Sequence, residues 1–162
     1  MDILYAKTVL YSYPVLDNLA EQIDESVEKR ALNSYRDFSP CYTQCEKIID
    51  LMNAKTLIME LKASVDGVIG KFTDYEIKFF EYKYFKNRDK EYFKDFDAAS
   101  RKYFRRQNSL AKRFAVLLEK SGIDDAKFSG DYLSMDFFRE MYKRVAEREK
   151  SVKAAKSADV AA

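Results

Sequence analysis

Four glycines and two prolines in 162 residues leave this chain few places to turn. An architecture of short strands needs a glycine- or proline-bearing turn at each reversal. That supply is missing here, so the expectation is an all-α fold built from long helices. Hydrophobic residues make up 47% and charged residues 35% of the chain, which places it among folded globular proteins rather than disordered ones. The length is enough to bury a core without disulfide or metal staples.

Composition also removes several kinds of chemistry. There is no histidine and there are only two cysteines, so the commonest metal ligand, the usual general base and any disulfide framework are absent. Cys41 and Cys45 stand one helical turn apart, but no histidine or further cysteine completes a metal site; buried packing is expected of them. The acidic pairs Asp95/Asp97 and Asp124-Asp125 read as helix-end charges. No nucleophile–base pair, glycine-rich phosphate loop or zinc spacing is present, so neither an enzyme nor a cofactor is expected. Met1-Asp2-Ile3-Leu4-Tyr5 lacks the basic leader of a signal peptide. No apolar run approaches the roughly 20 residues of a membrane span. The expected location is cytoplasmic, with no membrane partner.

Along the chain, residues 1–70 read as an α-helical N-terminal region. A short helix over 3–12 is followed by Pro14, which favours a helix start. Leu16, Leu19, Ala20, Ile23 and Val27 then mark an amphipathic helix to about residue 31. Ser39-Pro40 signals a third start, with a cap residue followed by proline at the first helical position. That helix runs almost to Gly70 and draws its apolar residues from Cys41, Cys45, Ile48, Met52, Met59, Leu61, Val65 and Val68. Thr73 and Glu76 form a capping box, with Phe72 and Ile77 placed as a hydrophobic staple. The helix they open, 74–85, carries Ile77, Phe80 and Tyr84 inward. A short helix is expected from Asp89 to Phe96 and a turn at Asp97-Ala98-Ala99. Ser100 then caps a long basic helix that ends at Ser121-Gly122. Residues 122–150 hold a short segment and a helix from about Met135; a disordered tail is expected over 151–162. The aromatics between Tyr75 and Phe104 recur at helical spacing and read as core, not as a base-stacking platform.

The basic helix is the most informative for function. Residues 100–114 contain six cations and no carboxylate, in a protein whose 29 cations and 27 anions nearly cancel. A net charge of +2 cannot drive association with a polyanion, so any such activity must come from a local patch. On a helix, Arg101, Arg105, Asn108 and Lys112 form one stripe, with Lys102, Arg106, Ser109 and Arg113 beside it. Phe104, Ala111, Phe114 and Leu118 point the other way. A charge run on a helix is often only a solvated face, but this one has a single sign, while 135–150 mixes Lys, Arg and Glu. An anionic membrane surface is a poorer fit, because the apolar side is needed for the core.

Residues 72–120 therefore give helix, short helix, turn and longer basic helix, the layout of a helix-turn-helix. The pattern resembles region 4 of bacterial RNA polymerase sigma factors and the sigma-like phage regulators of late transcription (the ArpU and RinA type). The phrase opening the family's first helix appears here as Phe72-Thr73-Asp74-Tyr75-Glu76. Tyr82-Lys83-Tyr84-Phe85 fills the aromatic position near its end, and Ser100, Phe104, Ala111 and Phe114 fall at the offsets of the recognition helix. Two features depart from the family: the turn has no glycine, and Phe93 stands near the position of a small alanine. The resemblance implies a DNA-binding domain at 71–121 and a sequence-specific transcription regulator. Arg101, Lys102, Arg105 and Arg106 would then reach base edges, Asn108 and Ser109 bases or phosphates, and Lys112 and Arg113 phosphates; Ser100 is a cap whose hydroxyl also touches phosphate. Duplex DNA is the implied partner, with RNA polymerase and a second copy of the chain as further ones. The competing expectation is a helical adaptor that binds an acidic protein through the same stripe.

Overall fold

The structure is a computed structural model that describes residues 1–34, 40–87, 89–94, 96 and 101–161. It is all-helical, with no strand among the described residues. The expected cap Ser39, the turn at 97–99, Asp95 and Ser100 lie outside the described residues.

At the centre is α1 (Ile3–Ser12), in which Ala6, Val9 and Leu10 are wholly buried and so are Thr8 and Ser12. The Thr8 and Ser12 hydroxyls donate to carbonyls one turn back, at 2.7 and 2.8 Å, so no polar group is stranded there. Asp2 caps the helix, its Oδ1 accepting from the Leu4 amide at 2.6 Å. One 3₁₀ turn containing Pro14 leads into α2 (Leu16–Asn33), which pairs with α3 (Cys41–Ile69) as a hairpin. Pro40 occupies the cap position of α3, one residue earlier in the helix than its expected place. Lys62–Asp17 and Lys55–Asp24 ion pairs, at 2.7 and 2.5 Å, tie the hairpin's two helices together along one edge. Exposed pairs of this kind are worth about 0–1 kcal/mol each. Apolar burial in the hairpin is concentrated at its base, in Leu16, Ala20, Ile58, Leu61, Val65 and Val68.

The capping box opens α4 (Asp74–Lys83) as the sequence predicts. Thr73 Oγ1 accepts from the Glu76 amide at 3.3 Å, and Glu76 Oε2 accepts from the Thr73 amide at 3.0 Å. Phe80 and Tyr84 are buried and Ile77 is half-buried. The short helix expected over 89–96 does not form; residues 90–94 are turns. Asp89 closes them, its Oδ1 accepting from the Glu91 and Tyr92 amides at 3.0 and 3.2 Å. Phe93 and Phe96 then insert against Tyr82, each ring centroid 5.2 Å from it. An eight-residue helix has little stability of its own, and seating two phenylalanines decides the local backbone instead.

Next comes α5 (Arg101–Lys120), packed on α1 and α3. It ends in a Schellman motif: the Gly122 amide donates to the Glu119 carbonyl at 3.0 Å and the Ile123 amide to Leu118 at 3.2 Å, with Gly122 at φ +101°. A helical turn, α6 (Asp125–Lys127), runs into a π-helical segment (Phe128–Tyr132) that buries Phe128 and Tyr132 stacked at 5.6 Å. The last helix, α7 (Asp136–Ala161), buries Phe138 and Val145 and packs on α1. It continues to Ala161, through the stretch expected as a disordered tail. Among the described residues, no helix is long and apolar enough to cross a membrane.

Candidate nucleic-acid interface

Alternate inward and outward demands make α5 the most sharply two-sided helix of the fold. Tyr103, Gln107, Leu110, Ala111, Phe114, Ala115 and Leu118 recur at steps of three and four and are all buried. Arg101, Lys102, Arg105, Arg106, Asn108, Ser109, Lys112 and Arg113 are all exposed, on the opposite side. The two stripes expected from the sequence thus share one continuous outer face. The inward set needs one correction: Phe104 is 51% exposed, and its neighbour Tyr103 takes the core position.

The core holds that orientation through Tyr103. Its ring stacks on Phe79 at 5.5 Å and meets Phe96 edge-on at 5.3 Å. Its hydroxyl accepts from Gln107 Nε2 at 3.0 Å, and Gln107 Oε1 accepts from Lys83 Nζ at 2.7 Å. Burial, followed by the nearby Tyr82, pushes the Tyr103 phenol up to about 12. Gln107 was not foreseen as a buried residue; its polar side chain in the middle of a basic stretch reads as surface.

The cations differ in what they already touch. Arg113 is an internal strut. Its guanidinium meets Glu76 Oε1 at 3.0 Å, donates to the Lys71 carbonyl at 3.3 Å and lies 4.7 Å over the Phe72 ring. Glu76 thus caps α4 with one oxygen and neutralises α5 with the other, so Arg113 is not the free phosphate contact the sequence predicts. Arg106 lies 5.3 Å over Tyr75 and 5.8 Å over Phe79, an arrangement that fixes its stem and leaves its charge unbalanced. Arg101, Lys102, Arg105, Arg106 and Lys112 have no carboxylate partner among the described residues.

Beside this face, Phe104, Asn108 and Lys112 border a groove of about 670 Å³ shared with the start of α1 and with α7. Lys150 and Lys153 stand on its α7 wall. Lys7 and Glu149, also in the wall, pair at 2.7 Å and lock α1 to α7. The groove extends the basic character of α5 toward the C-terminal helix.

Other candidates do not assemble. Cys41 and Cys45 are exposed rather than buried, because they sit near the hairpin's tip, outside the core. Contact with Cys41 raises the Cys45 thiol above its usual range. Among the described residues, no group of three or more acidic or cysteine side chains could hold a metal ion. Asp124 is a cap, accepting from the Lys127 amide at 2.7 Å, as expected of a helix-end charge. No protein-family model, curated protein or solved structure matches this chain.

Proposed function

We propose that the outer face of α5 binds duplex DNA and that the protein is a sequence-specific regulator of transcription. One observation carries this reading: Arg101, Lys102, Arg105, Arg106 and Lys112 are exposed on one side of a single 20-residue helix, with no carboxylate partner among the described residues. Uncompensated cations in a row raise the local potential over several kT and attract a phosphate backbone. Arg101, Lys102 and Arg105, in the first turns, supply forked or single donors for base edges; Asn108, Ser109 and Lys112 continue the line for phosphates. The bracing differs from a short-turn helix-turn-helix. Residues 84–100 separate α4 from α5, and α4 supports α5 through Phe80–Phe114 and Arg113–Glu76 contacts.

Binding-site selection from a random duplex library tests the proposal. The expected result is enrichment of one common sequence that survives moderate salt. Failure to retain any duplex at low salt sinks the DNA reading and favours an acidic protein as the partner of the same face.

A further inference from the structure

Away from its base, the α2–α3 hairpin stands clear of the core. Of residues 21–34 and 41–57, only Gln44 is buried. Half-buried Ile23 and Val27 on α2, and Ile48 and Leu51 on α3, mark the side on which the two helices meet. A second apolar series on α3 faces solvent. Tyr42, Cys45, Ile49, Met52 and Met59 are all exposed, with the exposed Thr56 and Ala63 in the same register. These positions follow one another at alternating steps of three and four, the 3.5-residue repeat that keeps a seam aligned along a helix wound against another.

We infer that this seam is a self-association surface, covered by α3 of a second copy of the chain. A 3.5-residue repeat is matched by another helix carrying the same repeat, and each copy supplies one. The chemistry agrees, since no seam position from Tyr42 to Ala63 is charged. The neighbouring Lys55 and Lys62 are held toward α2 by Asp24 and Asp17. Neither a phosphate backbone nor an acidic peptide suits such a strip.

The area is also sufficient. At roughly 200 Å² per large side chain, the exposed fractions of Tyr42 (72%), Ile49 (54%), Met52 (56%) and Met59 (44%) leave about 450 Å² of apolar surface per copy. Homodimer interfaces are about 65% apolar, which sets the whole contact at about 700 Å² per partner. Stable interfaces bury about 600–1,000 Å² per partner, a range that includes this figure. The inference does not rest on the DNA reading, since the seam and the α5 face are separate surfaces.

Sedimentation velocity on the full chain, over about a hundredfold range of concentration, tests it. The wild type is expected to move from monomer to dimer, and Ile49→Glu/Met52→Glu to remain monomeric with an unchanged helical circular-dichroism signal. Both positions are already exposed, so the variant has no core to lose. Should it lose helicity, Ile49→Gln/Met52→Gln gives the same reading as a dissociation constant raised at least about tenfold. Arg101→Ala/Arg105→Ala is expected to dimerise like the wild type. A wild type that stays monomeric throughout, or an Ile49/Met52 variant that dimerises undiminished, overturns the inference.

Discussion

Removing Arg101 and Arg105 together, and Arg113 separately, distinguishes a working phosphate face from a generic positive surface. Arg101, Lys102, Arg105, Arg106 and Lys112 lack a carboxylate partner among the described residues, and Arg113 is neutralised by Glu76 at 3.0 Å. At about −0.9 in the slope of log K against log salt per phosphate neutralised, these five give about −4.5, each counted as neutralising one phosphate charge whether or not it also reaches a base edge. Affinity then falls about 500-fold between 50 and 200 mM salt. Arg101→Ala/Arg105→Ala leaves three contacts, a slope near −2.7 and a fall of about 40-fold. Arg113→Ala removes a charge that is already balanced, so its slope is expected to stay near −4.5. Its cost appears in folding, at about 1 kcal/mol, from a half-exposed ion pair and a cation–π contact. Fluorescence anisotropy of one labelled duplex at four salt concentrations gives all three slopes, and a denaturant melt gives the stability. Equal slopes for wild type and the double variant, or a slope for Arg113→Ala shallower by a full phosphate contact, refutes the assignment.

Three further outcomes follow from the packing. Gly122→Ala places a Cβ at φ +101°, where nothing nearby obstructs it but the backbone itself is strained, and should cost about 1–2 kcal/mol in a thermal or urea melt. Tyr84→Phe deletes a buried hydroxyl that has no hydrogen-bond partner among the described residues; it should be neutral or slightly stabilising, and a loss above about 1 kcal/mol would show that a partner exists. Burial raises both the Tyr13 and Tyr103 phenols from near 10 to about 12. The folded state therefore favours their neutral form: this stability is complete below pH 10 and declines as pH rises toward 12, which urea midpoints across that window will show.

What the sequence disclosed follows local chemistry. Thr73 with Glu76, and Ser121-Gly122, specify helix ends through hydrogen bonds to neighbours only, and both formed as read. The inward run Ala111, Phe114 and Leu118 was equally clear, because it repeats at the helical period. Positions 103 and 104 were not: Tyr and Phe stand side by side, and periodicity alone does not choose between them. Stacking on Phe79 and the bond to buried Gln107 select Tyr103, and both come from tertiary contact. Phe93 and Phe96 likewise obey Tyr82 and Tyr103 rather than local helix preference. The sequence marks Cys41, Cys45, Met52 and Met59 as apolar residues of α3 alongside its buried ones, because α3 is apolar on two sides. The 3.5-residue spacing of Cys45, Met52 and Met59 with Tyr42 and Ile49 is the signal that separates the solvent-facing series from the inner one.

The most direct test of the α5 assignment is a map of backbone amide shifts on adding a duplex recovered by site selection. The account predicts changes concentrated on residues 101–112, with the α2–α3 hairpin largely undisturbed. Changes confined to the hairpin or to the far side of the bundle, with α5 silent, contradict it.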